Sequence, residues 1–237
     1  KSGHFNGGSK STDALLPSYF ERAHWVNEEI NIAIRRLDVC RMAQNRINMD
    51  LNELRDRAYK TACDHGFHDE ELSNEHCLCL VISELMEAVE ADRKGRLGKK
   101  CKSRFEMDYN RYPALVEEEK RFKCSFEKNV KDTLPDELAD AVIRLLDLAG
   151  LRGIDLSDTN EIADEFVSLK SGFRFTEVCF GFTLLLTNDV EGLGKRICFA
   201  LAGLIKYCQF SNIDLIWHIN QKMRYNELRE NKHGKKY

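Results

Sequence analysis

Leu134–Gly150, LPDELADAVIRLLDLAG, is the stretch that decides the fold. Leu138, Ala139, Val142, Ile143, Leu145, Leu146, Leu148 and Ala149 spread apolar groups around nearly the whole helix circumference, the pattern of a buried helix. Yet Glu137, Asp140, Arg144 and Asp147 recur at offsets of three, four and three and form a polar stripe down one side. A buried carboxylate without a partner is costly, so the stripe predicts pairing, metal binding or a cleft. Residues 77–92, CLCLVISELMEAVEAD, repeat the design: Leu78, Val81, Ile82, Leu85, Met86 and Val89 are apolar, while Glu84, Glu87 and Glu90 are not. Residues three apart on a helix share a face, with β-carbons about 5–6 Å apart. Glu84 and Glu87 thus point one way, as do Glu137 and Asp140. Two such helices side by side bring four hard oxygen donors together, a set suited to a divalent cation such as Mg²⁺.

Outward from these two stretches the chain reads as helix after helix, with alternating strand patterns scarce. Thr133 and Pro135 open the helix of the second acidic pair, which ends at GLRGIDL. Ser73 caps the helix of the first pair, which ends around RKGRLG. Before it, a helix starts near Asp50 and stops at Gly66, and an earlier one is expected over 18–48. Residues 99–130 are highly charged and carry no clear assignment. Apolar helices follow near 174–188 and 194–210, then a last helix over roughly 213–230 and a basic tail. Residues 140–156 and 199–215 match at five positions, ending in IDL in both. Residues 157–211 are therefore inserted helices or a degenerate second half. Residues 1–17 read as a flexible leader, and 18–237 as one all-α domain.

Composition narrows the classes. The 237 residues are 43% hydrophobic and 32% charged, enough for one substantial core, and hold only three prolines. A net charge of −3 and a pI near 6.2 argue against general nucleic-acid binding. No apolar run reaches the ~18–20 residues of a membrane helix. Nine cysteines, an odd number without Cys-x2-Cys spacing, suit reduced thiols and a cytoplasmic protein. His65, His68, His76, Cys77 and Cys79 cluster in sequence but lack zinc-ligand spacing. The run 93–104 holds seven Lys or Arg and reads as a solvated loop at a helix C-terminus.

Glu84-Leu-Met-Glu87, Glu137-Leu-Ala-Asp140 and the later Lys222-Met-Arg-Tyr-Asn226-Glu-Leu-Arg229, taken in that order, resemble the all-α nucleoside triphosphate pyrophosphohydrolases, the MazG-like and dimeric dUTPase superfamily. DHGFHDEEL before the first pair is similar to the segment that precedes it in that family. The resemblance covers about 50–92, 131–156 and 212–237. It implies an all-α bundle of MazG-like type and a Mg²⁺-dependent split, with Mn²⁺ as substitute metal, of a nucleoside triphosphate into monophosphate and pyrophosphate. Glu84, Glu87, Glu137 and Asp140 would hold the metal, with Glu87 also activating the attacking water. Lys222, Asn226 and Arg229, at i, i+4 and i+7, would grip the phosphates, joined by Lys235 of the tail. A homodimer would cover the apolar faces left open. The departures are the 49 residues between Glu87 and Glu137 and the insertion 157–211. Two other classes stand beside this one. A di-iron carboxylate bundle needs two Glu-x2-His motifs; Glu21 with His24 has that spacing, but neither acidic pair carries a His at the needed offset. A helical module could instead bind a nucleotide or a partner without turnover.

Overall fold

A computed structural model describes residues 50–165, 173–188 and 190–234. Among them every regular element is helical: α1 (Leu51–Asp64), α2 (Asn74–Arg93), α3 (Cys101–Arg111), α4 (Glu118–Asn129), α5 (Leu134–Leu151), α6 (Thr159–Glu165), α7 (Phe175–Thr187), α8 (Leu193–Phe210), α9 (Leu215–Glu227) and a 3-10 turn at Asn231–Gly234. The all-α expectation holds. No helix of the described residues is long and apolar enough to cross a membrane. The expected leader and the helix over 18–48 lie outside the described residues, as do Lys235 and the rest of the tail.

Local chemistry accounts for the ends of the two acidic helices and their neighbours. The Asp50 carboxylate accepts the Glu53 N–H at 3.0 Å and opens α1, and Gly66, at φ +73°, turns the chain away after its C-cap. The Ser73 hydroxyl accepts the His76 N–H at 3.1 Å and opens α2. Thr133 stands at the N-cap of α5 with extended backbone, but its hydroxyl donates back to the Val130 carbonyl at 2.6 Å and caps nothing. Pro135 in the first turn, where a missing N–H costs no hydrogen bond, does the remaining work.

Helix α5 is the axis of the molecule. It is buried on all sides except a few stripe positions, and α1, α2, α8 and α9 pack directly on it. The approach of α1 is close, and Gly150 leaves room there for the Tyr59 side chain. Helix α2 lies along α5 with Val81, Leu85 and Ala88 wholly buried between them. Glu84 falls on the same inward face, because a residue three after Val81 and four before Ala88 cannot point elsewhere. Helices α6, α7 and α8 enlarge this core, so the stretch after GIDL is part of the bundle.

The charged stretch 99–130 forms the pair α3 and α4, which has its own small core. Phe105, Phe122, Phe126 and Val130 pack there with Tyr225 of α9. Phe126 stacks on Tyr225 at 4.6 Å between ring centroids, and Phe105 meets Trp217 edge-on at 5.7 Å. Trp217 is thus a packing residue. The long gap between the acidic pairs is filled by a helical hairpin leaning on α9.

Candidate metal centre

Because α2 and α5 lie side by side, Glu84 from one and Glu137 and Asp140 from the other converge. One oxygen of each lies within 4.8 Å of the others. No further group of three metal-ligating side chains forms among the described residues, so His65, His68, His76, Cys77 and Cys79 do not assemble a zinc site. The eight described cysteines are free thiols.

The partners of the trio are specific. Arg144 Nε donates to Glu84 Oε1 at 2.5 Å. Lys222 Nζ reaches across from α9 to Asp140 Oδ2 at 2.7 Å and Asp136 Oδ2 at 2.8 Å. Each of these contacts uses one oxygen and leaves the other carboxylate oxygen of Glu84 and Asp140 for another partner. The Glu137 carboxylate forms no ion pair or hydrogen bond with a described residue. Farther along the stripe, His68 Nε2 meets Asp147 Oδ1 at 2.7 Å. Among the described residues every polar member of the α5 stripe except Glu137 is thus paired.

Burial sets the electrostatics. Glu84 and Glu137 are 5% exposed and Asp136 is fully buried. Burial pushes Glu137 up to about 8, against the pull of Lys222 and helped by the charges of Asp136, Asp140 and Glu87. Asp136 is pushed up to about 7 by the same desolvation, with Lys222 opposing it. Glu84 is raised by burial and by Asp140, more than Arg144 lowers it. Burial works against the Lys222 charge, but Asp140 and Asp136 outweigh it and hold the ammonium charged. Four carboxylates against Lys222 and Arg144 leave two negative charges when all are ionised, the charge of one divalent cation. In addition Asp136 Oδ1 is buried with no hydrogen-bond partner. The donor set is all hard oxygen, which suits a hard divalent cation and not a soft metal.

Glu87 stands apart. One turn along α2 it is exposed and outside the trio, though its charge still raises the Glu137 carboxyl. Beside the trio opens a cleft that Glu84, Asp140, His68, Asn226 and Arg229 help to line. Asn226 Oδ1 and His68 Nδ1 are buried in it without hydrogen-bond partners. Helix α9 closes at Glu227, so the expected helical face carrying Arg229 at i+7 does not extend that far. Arg229 nonetheless lines the cleft with Asn226, while Lys222 turns into the acidic cluster. Lys235 lies outside the described residues.

Two members of the centre escape sequence reasoning. Asp136 reads as a first-turn acid placed for the helix dipole, although its position beside the apolar Leu134 and Pro135 hints at burial. The Lys222 ammonium reads as a phosphate ligand, and nothing in its spacing announces two buried carboxylates as its partners. Comparison of the chain with protein-family models, with curated proteins and with solved structures finds no match.

Proposed function

We propose that this protein is a Mg²⁺-dependent nucleoside triphosphate pyrophosphohydrolase, acting in the cytoplasm as a homodimer. The convergence of Glu84, Glu137 and Asp140 at the edge of a cleft carries the reading. Glu84, Glu137 and Asp140 would hold a divalent cation, which when bound would supply Lewis acidity and absorb charge on the phosphate oxygens of the substrate. The exposed Glu87 carboxylate, next to but outside the trio, accepts a proton from the attacking water. The water oxygen bonds to the α-phosphorus while the bridge to the β-phosphate breaks, and pyrophosphate departs with the bonding electrons. Arg229 offers a planar fork to the phosphates, and Asn226 and His68 offer unused polar atoms to the nucleoside in the cleft. Lys222 holds Asp140 and Asp136 in place.

A hydrolysis screen of the purified protein against the common ribo- and deoxyribonucleoside triphosphates, dUTP included, tests this directly. The expected products with Mg²⁺ are pyrophosphate and monophosphate, with no orthophosphate. Glu84→Gln is expected to lower the rate by about a hundredfold or more.

One observation favours a second reading. Arg144 and Lys222 already occupy one oxygen each of Glu84 and Asp140, so part of the cluster is satisfied without metal. A module that binds a nucleotide or a partner without turnover would then show Mg²⁺-dependent nucleotide binding and release no pyrophosphate in the same screen.

A further inference from the structure

The basic run 93–104 leaves the C-terminus of α2 as a mostly exposed turn, as expected, and enters α3 at Cys101. Arg96, Lys99, Lys100 and Arg104 meet Lys128 and Lys131 of the α4–α5 junction around one open depression, whose acidic lining is limited to Glu127 and Asp132. Those acids are already engaged. Asp132 pairs with Arg96 at 3.8 Å and Lys131 at 3.6 Å, and Glu127 accepts the Tyr225 hydroxyl at 2.8 Å. Lys128 is held by Asp108 at 2.6 Å. Lys99, Lys100 and Arg104 form no ion pair with a described residue, so an excess of positive charge is gathered in a concave place on an otherwise acidic protein.

The backbone that carries these cations is fixed. The Leu134 N–H donates to the Arg96 carbonyl at 2.9 Å, and Leu97 packs against the main core. Gly98, at φ +64°, lies so close to Pro135 that an added Cβ would sit 2.7 Å from the proline ring. A charged surface held this way loses little freedom when a ligand arrives. Lysine and arginine heads side by side suit the dense negative charge of linked phosphates better than a single carboxylate.

We propose that this depression is a separate anion site that takes an oligophosphate, inorganic or carried as the tail of a nucleotide. The assignment is independent of the reaction proposed above. The test is a titration of the full chain with inorganic tripolyphosphate, and in parallel with ATP, in magnesium-free buffer. There the carboxylate centre has no metal ion to bridge it to a phosphate. Amide resonances of Gly95, Gly98 and 100–104 are expected to shift saturably, with an affinity that falls as salt rises. The variant Lys99→Glu/Lys100→Glu/Arg104→Glu should weaken binding by about a hundredfold. The variant Lys60→Glu/Lys120→Glu/Lys195→Glu, with the same change of net charge at exposed positions elsewhere, should leave it within about threefold. Equal affinity for the two ligands assigns inorganic oligophosphate, and tighter ATP binding assigns the nucleotide tail. No shift at these amides up to ~1 mM ligand, or an equal loss in both variants, would overturn the proposal.

Discussion

Lys222 shows how a single buried charge organises the centre. It sits 6% exposed between Asp136 and Asp140, so its ammonium repays the desolvation of all three groups only while both contacts persist. Lys222→Met keeps the volume and removes the charge, leaving a fully buried Asp136 with neither oxygen paired to a cation. Chemical denaturation of the metal-free variant at neutral pH is expected to show a loss of about 3 kcal/mol. Adding Asp136→Asn to the same chain should recover at least half of that loss, because the stranded carboxylate is then gone. A double variant less stable than Lys222→Met alone would mean that Asp136 is held by something other than the lysine. The exception in the stripe is Glu137. Its neighbours Asp140, Arg144 and Asp147 each have a partner, whereas the Glu137 carboxylate has none among the described residues, so an added cation has most to gain there.

At the level of elements, α5 must be approached closely from two sides at once, by α2 with its glutamates and by α1 with Tyr59. Gly150 makes the second approach possible, since an ideal Cβ there would stand 2.5 Å from Tyr59 Cβ. Gly150→Val is expected to lower the unfolding free energy by about 2 kcal/mol, measured by denaturant titration, through overpacking that outweighs the gain in helix propensity. An unchanged or higher stability would show that α1 can shift outward at no cost. Helix ends are legible for a related reason. Ile154 N–H donates to the Ala149 carbonyl at 2.9 Å and Ile213 N–H to the Cys208 carbonyl at 2.8 Å, after Gly153 and Asn212 in left-handed conformation. The faint match between 140–156 and 199–215 thus includes one shared way of ending a helix, followed in both by a buried leucine. Helices α3 and α4 are hidden by their charge density. Their signal is aromatic, Phe105 with Tyr109 and Phe122 with Phe126 four residues apart, and it lies under a surface of lysine and glutamate.

Across the whole molecule, the sequence reveals the two buried helices and the carboxylates they carry, because period and polarity disagree there so plainly. The all-α class, the caps of α1 and α2 and the spans of α7 and α8 follow from the same pattern. What it does not reveal depends on partners far along the chain. Arg144 with Glu84 and Lys222 with Asp136 are sixty or more residues apart, and no local spacing encodes them. The retreat of Glu87 to the surface is equally a matter of helix rotation that the acidic spacing leaves open. The central claim is that Glu84, Glu137 and Asp140 hold a divalent cation. Electron paramagnetic resonance of Mn²⁺ titrated into the wild type and into Glu137→Gln measures it without relying on turnover. Saturable binding to the wild type, competed by Mg²⁺ and weakened at least about tenfold in the variant, is the predicted result. Absence of binding to the wild type, or equal affinity in both chains, would contradict it.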